Sequence, residues 1–170
     1  MTRSCRNKGN NFKGHKMRKT VVLALLLFAP ILFANTIQFS SLEKSNIVVA
    51  LSDLESMPQT TYTTALPWLE KPAEFNGVKL STLLQHTLGE VPQHVQVRAM
   101  NDYYSYISRE DILRYQPIIA YKQDHNYIKV RNKGPYWLIY PVTKYPELDV
   151  SYYHSQMVWQ INRISTKEEE

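Results

Sequence analysis

All 12 tyrosines and all three tryptophans of this chain lie after Thr60, gathered around Tyr103-Tyr104-Ser105-Tyr106, Tyr136-Trp137 and Tyr152-Tyr153. A planar ligand can stack on such a lining while phenolic hydroxyls reach its polar edge. For any single ring the plainer reading is that it fills or edges a strand; a shared cleft involving Tyr103 and Trp137 is the sharper one. Two charged groupings could supply polar chemistry. Asp102 follows Arg98 by four residues, and a nearby guanidinium holds a carboxylate ionised. Arg131 and Lys133 flank Asn132 just before Gly134-Pro135, a candidate anion-binding rim. The ordinary alternatives are a turn aspartate accepting backbone amides, and solvation of a strand end.

Other chemistries find no support. His86, His94, His125 and His154 show no short metal-ligand spacing and no His-Glu-x-x-His motif, so a zinc site is not expected. There is no Gly-rich phosphate loop and no Gly-x-Ser-x-Gly elbow. Serine, histidine and aspartate are too common for their presence alone to suggest a triad.

The N-terminal region alters how the rest is read. Met17-Arg18-Lys19, an apolar stretch from Val21 to Phe33 broken only by Pro30, and Ala34 before Asn35-Thr36 have the three parts of an export signal. The apolar run of about 14 residues is shorter than the roughly 20 needed to span a bilayer. We expect cleavage, with residues 1–34 as a signal peptide (about 17–34) plus an upstream extension, and residues 35–170 as one domain, periplasmic or otherwise exported, with no stable membrane span. The formal charge of +5 is then misleading, because seven of the 20 basic residues and none of the 15 acids lie in 1–34. Cleavage leaves 13 basic against 15 acidic residues, a balance of −2, which removes the case for nucleic acid as a partner. The three closing glutamates read as a solvated tail. Cys5, the only cysteine, is lost with the leader, so the mature chain offers neither a disulfide nor a thiolate.

The elements that must position the aromatic groups are short. Residues 47–51 read as a buried strand, 52–55 as a helical turn before Pro58, and Thr60 to Ala65 as a strand. Leu80, Leu83, Leu84 and Leu88 fall at helical spacing, with Gly89 as the stop. Val95, Val97 and Ala99 alternate with polar partners as on a half-buried strand. Ser108-Arg109-Glu110-Asp111 resembles a capping box opening a short helix that ends before Pro117. Strands are expected at 118–121, 127–131, 137–140 and 157–164, with Asp124-His125-Asn126 turning between the first two. No repeat or Gly/Ser linker divides the chain. Few helices among many short strands give a strand-rich α+β domain.

Four blocks occur in a distinctive order: Phe75-Asn76-Gly77-Val78-Lys79-Leu80, Asn101-Asp102-Tyr103, Ile118-Ile119-Ala120-Tyr121, and Gly134-Pro135-Tyr136-Trp137-Leu138-Ile139-Tyr140-Pro141. Together they resemble the sulfite-oxidase-type molybdopterin-binding domain family, and residues 157–164 resemble its closing strand. The resemblance spans a core of residues 47–165 and implies that family's fold. Two departures bear on function. Catalytic members ligate molybdenum through a cysteine shortly before the aromatic-Gly-Val block, and the matching position is at or near Ala65, which cannot donate a lone pair. The stretch implied to hold the cofactor phosphate, residues 142–149, keeps only Lys144 and carries two acids, a poor match for a dianion that wants charge-assisted donors.

The resemblance therefore admits molybdopterin as a cofactor, while the substituted positions lead us to expect none in the isolated protein and no protein metal ligand. The expected function is a non-catalytic ligand-binding or sensing module with a pocket near Ala65, Trp68, Asp102, Tyr103, Arg131 and Trp137. Its partners would be a small ligand, an envelope signalling protein, or both. The alternatives are a molybdopterin-dependent oxidoreductase with a non-cysteine metal environment, and a purely structural envelope component.

Overall fold

The computed structural model describes residues 35–41 and 46–166. The export-signal segment, Cys5 and the closing glutamates lie outside these residues. In chain order the strands are β1 (Thr36–Ser40), β2 (Ile47–Ala50), β3 (Gln59–Thr64), β4 (Ala73–Lys79), β5 (His94–Ala99), β6 (Tyr104–Ser108), β7 (Ile118–Gln123), β8 (Asn126–Tyr127), β9 (Trp137–Ile139) and β10 (Ile161–Ser165). The helices are α1 (Leu51–Ser56), α2 (Leu80–Leu88), α3 (Arg109–Tyr115) and α4 (Ser151–Gln156). One sheet runs β2-β1-β10-β5-β6, antiparallel except for the β1–β10 pair. The other runs β3-β4-β7, with β8 and β9 sharing the far edge of β7. This is the strand-rich α+β class expected from the pattern.

Apolar side chains of both sheets merge into one core with Leu80, Leu83 and Leu84 of α2 and Ile112 of α3. α2 stops where Gly89 takes φ 90°, a left-handed conformation glycine adopts without strain. α3 starts at Ser108, whose hydroxyl accepts from Asp111 N at 3.1 Å, and stops at Gln116 with φ 52° before Pro117. The Asp111 carboxylate answers Ser108 through its hydroxyl (2.9 Å) rather than through its backbone amide, so half of a capping box forms.

Two glycines are fixed by packing. A Cβ on Gly77 would collide with Ile119 O of β7, where the β4–β7 register shifts. A Cβ on Gly134 would collide with Ile128 O. Both belong to the sequence blocks described above, so the Gly-Val and Gly-Pro signatures mark places where two backbones meet too closely for a side chain.

Several local expectations change. The strand expected at 127–131 ends at Tyr127, with one further bond from Ile128 N to Tyr121 O (2.9 Å). The chain then turns through a 3-10 helix, Val130–Asn132. It has to leave, because residues 118–120 of β7 are paired on that edge by β9. Of residues 157–164 only 161 onward are strand. The preceding segment is held through Leu138 N to Val158 O (2.9 Å) and by Gln160 at φ 52°. Gln96, expected to face solvent, is 2% exposed because it donates to the Tyr106 hydroxyl (3.0 Å) on the neighbouring strand. β1 and α4 had no counterpart in the sequence reading. The Asp124-His125 turn has positive φ at both residues (47° and 64°), the conformation that suits a tight hairpin.

Candidate functional site

A cleft of about 370 Å³ opens between the loop after β3, the β5–β6 turn and the segment running from α4 towards β10. Trp68, Asn101, Tyr103, His154, Ser155, Met157, Val158 and Trp159 line it. Tyr103 reaches the cleft because Asp102 takes φ 63°, Ala99 N closes the turn on Tyr103 O (2.8 Å) and Asn101 Oδ1 accepts from Tyr103 N (3.3 Å). Its hydroxyl donates to Ser155 O at 2.7 Å, tying the turn to α4.

The tryptophans form one assembly. Trp137, 2% exposed, stacks on Trp68 with centroids 6.0 Å apart and an angle of 25°. Phe75 and Trp159 meet Trp137 edge-on at 5.6 and 6.4 Å, and His154 meets Trp68 the same way at 5.8 Å. The Trp137 indole donates to Met157 O (3.1 Å), which fixes its ring behind the lining residues Trp68 and Trp159. Lys133 Nζ stands 5.5, 5.3 and 4.2 Å from the ring centres of Trp68, Trp137 and Trp159. Burial lowers the Lys133 ammonium from its ordinary pKa of 10.5. His154 Nε2 lies 3.0 Å from Asp149 Oδ1, yet out of line for a hydrogen bond.

Of the residues singled out from sequence, Trp68, Tyr103 and Trp137 come together here. Asp102 does not line the cleft; its side chain is 88% exposed and sits 3.8 Å from Arg98, and the turn is held by the Asn101 side chain instead. Ala65 lies in a separate recess of about 240 Å³ with Thr143 and Asp149. There Ala65 N donates to Thr143 Oγ1 (3.0 Å), and Thr143 N donates to Thr64 Oγ1 (3.2 Å). Arg131 lines a third recess, about 310 Å³, with Asp124, Lys129 and Asn132. The proposed Arg131–Lys133 rim is thus divided: Arg131 faces that recess while Lys133 turns onto the indoles. Trp159 and His154 line the cleft, and Lys133 stands against its indoles without being one of its lining residues; none of the three was assigned to the pocket from sequence. For Trp159 the available signal was the small number of tryptophans, and Lys133, at a left-handed position (φ 69°), was read with Arg131 as an anion-binding rim; for His154, on the short helix α4, there was none.

Comparison with solved structures finds the sulfane dehydrogenase SoxCD from Paracoccus pantotrophus similar, with a TM-score of 0.58 and 16% identity, over 76% of this chain and 37% of that one. The fold is the sulfite-oxidase-type, strand-rich α+β fold. This chain spans little more than a third of its structural neighbour, and at that identity the likeness speaks for the fold alone. No family model matches the chain, and no curated protein matches it. The four sequence blocks fall where the fold brings them together: three lie on or beside the neighbouring strands β4, β7 and β9, and the fourth is the β5–β6 turn at the cleft.

That fold raises molybdopterin as a candidate cofactor. The donors present fit thiolate-ligated molybdenum poorly. Ala65 offers only a methyl group, its recess carries a carboxylate and no cationic side chain among its lining residues, and no three His, Cys, Asp or Glu residues gather as a metal site among the described residues. Lys144, the one base of the stretch expected to hold phosphate, packs over Tyr145 at 5.0 Å.

Proposed function

We propose that this protein is a small-molecule-binding module built on a sulfite-oxidase-type fold, using the Trp68–Tyr103–Trp159 cleft as its site and no resident metal. The observation that carries the reading is the cleft's construction. Aromatic and aliphatic walls surround about 370 Å³, and the wall residue Trp68 is backed by buried Trp137, itself locked by stacking and a hydrogen bond, as in pockets that hold a ring-sized ligand. Export and a role in signalling to an envelope partner belong to this proposal through the leader-like segment. No helix among the described residues is long and apolar enough to cross a membrane.

The chain has three tryptophans, and all of them belong to this assembly, so indole N–H signals in a ¹⁵N spectrum of the full chain report on the site. A panel of small aromatic compounds should contain members that shift the Trp68 and Trp159 signals saturably. A panel that moves neither argues against the cleft as a ligand site. Ala65→Cys alone should create no sulfur oxidoreductase activity in protein made by cofactor-producing cells, because a thiolate there would still lack cationic company for a phosphate.

The fold favours one competing reading, a molybdopterin oxidoreductase whose metal takes an oxygen donor in place of the thiolate. Stoichiometric molybdenum in the purified protein would establish it over ours.

A further inference from the structure

Two donors at the cleft have no acceptor: Trp68 Nε1 in its lining and Lys133 Nζ against its indoles. Lys133 Nζ contacts three indole faces and has neither a carboxylate nor a carbonyl partner among the described residues. Trp68 Nε1, on a lining residue, is buried with no hydrogen-bond partner. Asp149, the carboxylate that approaches this wall, stands 3.0 Å from His154 and opens onto the neighbouring recess.

Aromatic faces attract a cation, each contact contributing about 0.5–2 kcal/mol, but they offer no lone pair to its N–H donors, and part-buried Lys133 has no other acceptor. A ligand that supplied an acceptor group would complete Lys133, and one that also presented a flat ring would cover Trp159, which is 38% exposed.

Building on the reading of the cleft as a ligand site, we infer that it selects planar aromatic anions, with the ring against Trp159 and Trp68 and the carboxylate or similar group on Lys133 Nζ. The competing possibility is a cage for cations, in which an organic ammonium displaces Lys133 from the indoles. The two differ in the sign of the charge preferred.

The test uses three probes of matched shape, 2-naphthoate, 2-naphthamide and 2-naphthylmethylammonium, titrated into the ¹⁵N-labelled full chain while following the indole N–H signals. The acid should bind about tenfold or more tighter than the amide, the usual worth of a charge-assisted hydrogen bond, and the ammonium should bind most weakly. Lys133→Gln should remove the preference for the acid over the amide, and Lys133→Arg should keep it. Equal affinity of acid and amide in the unaltered protein would overturn the inference while leaving the cleft a ligand site, as would tightest binding by the ammonium. Failure of all three probes to shift the indoles would count against both the inference and the reading beneath it.

Discussion

Adding one methyl group at Gly77 should cost more than removing two from its neighbour. In Gly77→Ala the new Cβ would collide with Ile119 O and lie 2.7 Å from both Ala120 Cα and Ile119 C, against an ordinary carbon contact of about 3.5–4.0 Å. All three are backbone atoms, so no side chain can rotate away. Relief requires β4 to draw back by about 1 Å where Gly77, Val78 and Lys79 pair with Ala120, Ile119 and Ile118. Overpacking typically costs 1–3 kcal/mol, and disturbing ladder bonds worth about 1 kcal/mol each puts this case near or above about 3 kcal/mol. Val78→Ala, at a fully buried position, should cost about 2 kcal/mol from lost burial and a small cavity. Urea unfolding followed by far-ultraviolet circular dichroism, with the m-value compared across the three proteins, measures both. A Gly77→Ala protein within about 1 kcal/mol of the unaltered one would refute the claim that backbone approach, rather than chance, put glycine in this motif.

Other perturbations separate structural from incidental residues. Ser108→Ala removes the acceptor for Asp111 N and should lower stability by about 1 kcal/mol, read as a shift in the urea midpoint. Asp102→Asn loses only an exposed pair at 3.8 Å, so stability should change by less than about 1 kcal/mol and the affinity of any cleft ligand should not change. Tyr140, donating to Gln156 Oε1 at 2.6 Å, has its phenol pKa raised above 10.0 first by burial and then by Asp111; burial raises Tyr136 in the same way. The unfolded chain ionises first, so the stability these neutral phenols contribute is intact below pH 10 and lost above it, at about 1.4 kcal/mol per pH unit for Tyr140. Urea midpoints at pH 9 and 11 would show the fall, and a flat profile would contradict it.

The framework was legible where local chemistry and tertiary demand coincide. Leu80, Leu83 and Leu84 announced α2, Gly89 its end, Ser108 the start of α3, and the Gly77 and Gly134 blocks a resemblance to the sulfite-oxidase-type fold, though not the close backbone approaches that fix their glycines. Reading failed where a distant segment decides the outcome. Nothing in Ile128-Lys129-Val130 says that β9 already pairs with the edge of β7 the hairpin would need. Gln96 looks solvent-facing until Tyr106, ten residues on, covers it. The site was half legible for the same reason. Trp68, Tyr103 and Trp137 were found by type and motif and Lys133 as half of a charged rim, but Trp159 and His154 reach them through an irregular segment and a short helix that carry no periodic signal. Asp102 belongs to one of the family-like blocks and Ala65 and Arg131 lie outside them, and the fold distributes all three to other surfaces.

The central claim is that this fold carries a ligand cleft in place of a metal-anchoring site. Its most direct test is the molybdenum and pterin content of the full chain purified from cells that synthesise the cofactor. The account predicts both at background, with an unaltered set of indole signals awaiting a ligand. Molybdenum and pterin at one equivalent per chain would contradict it.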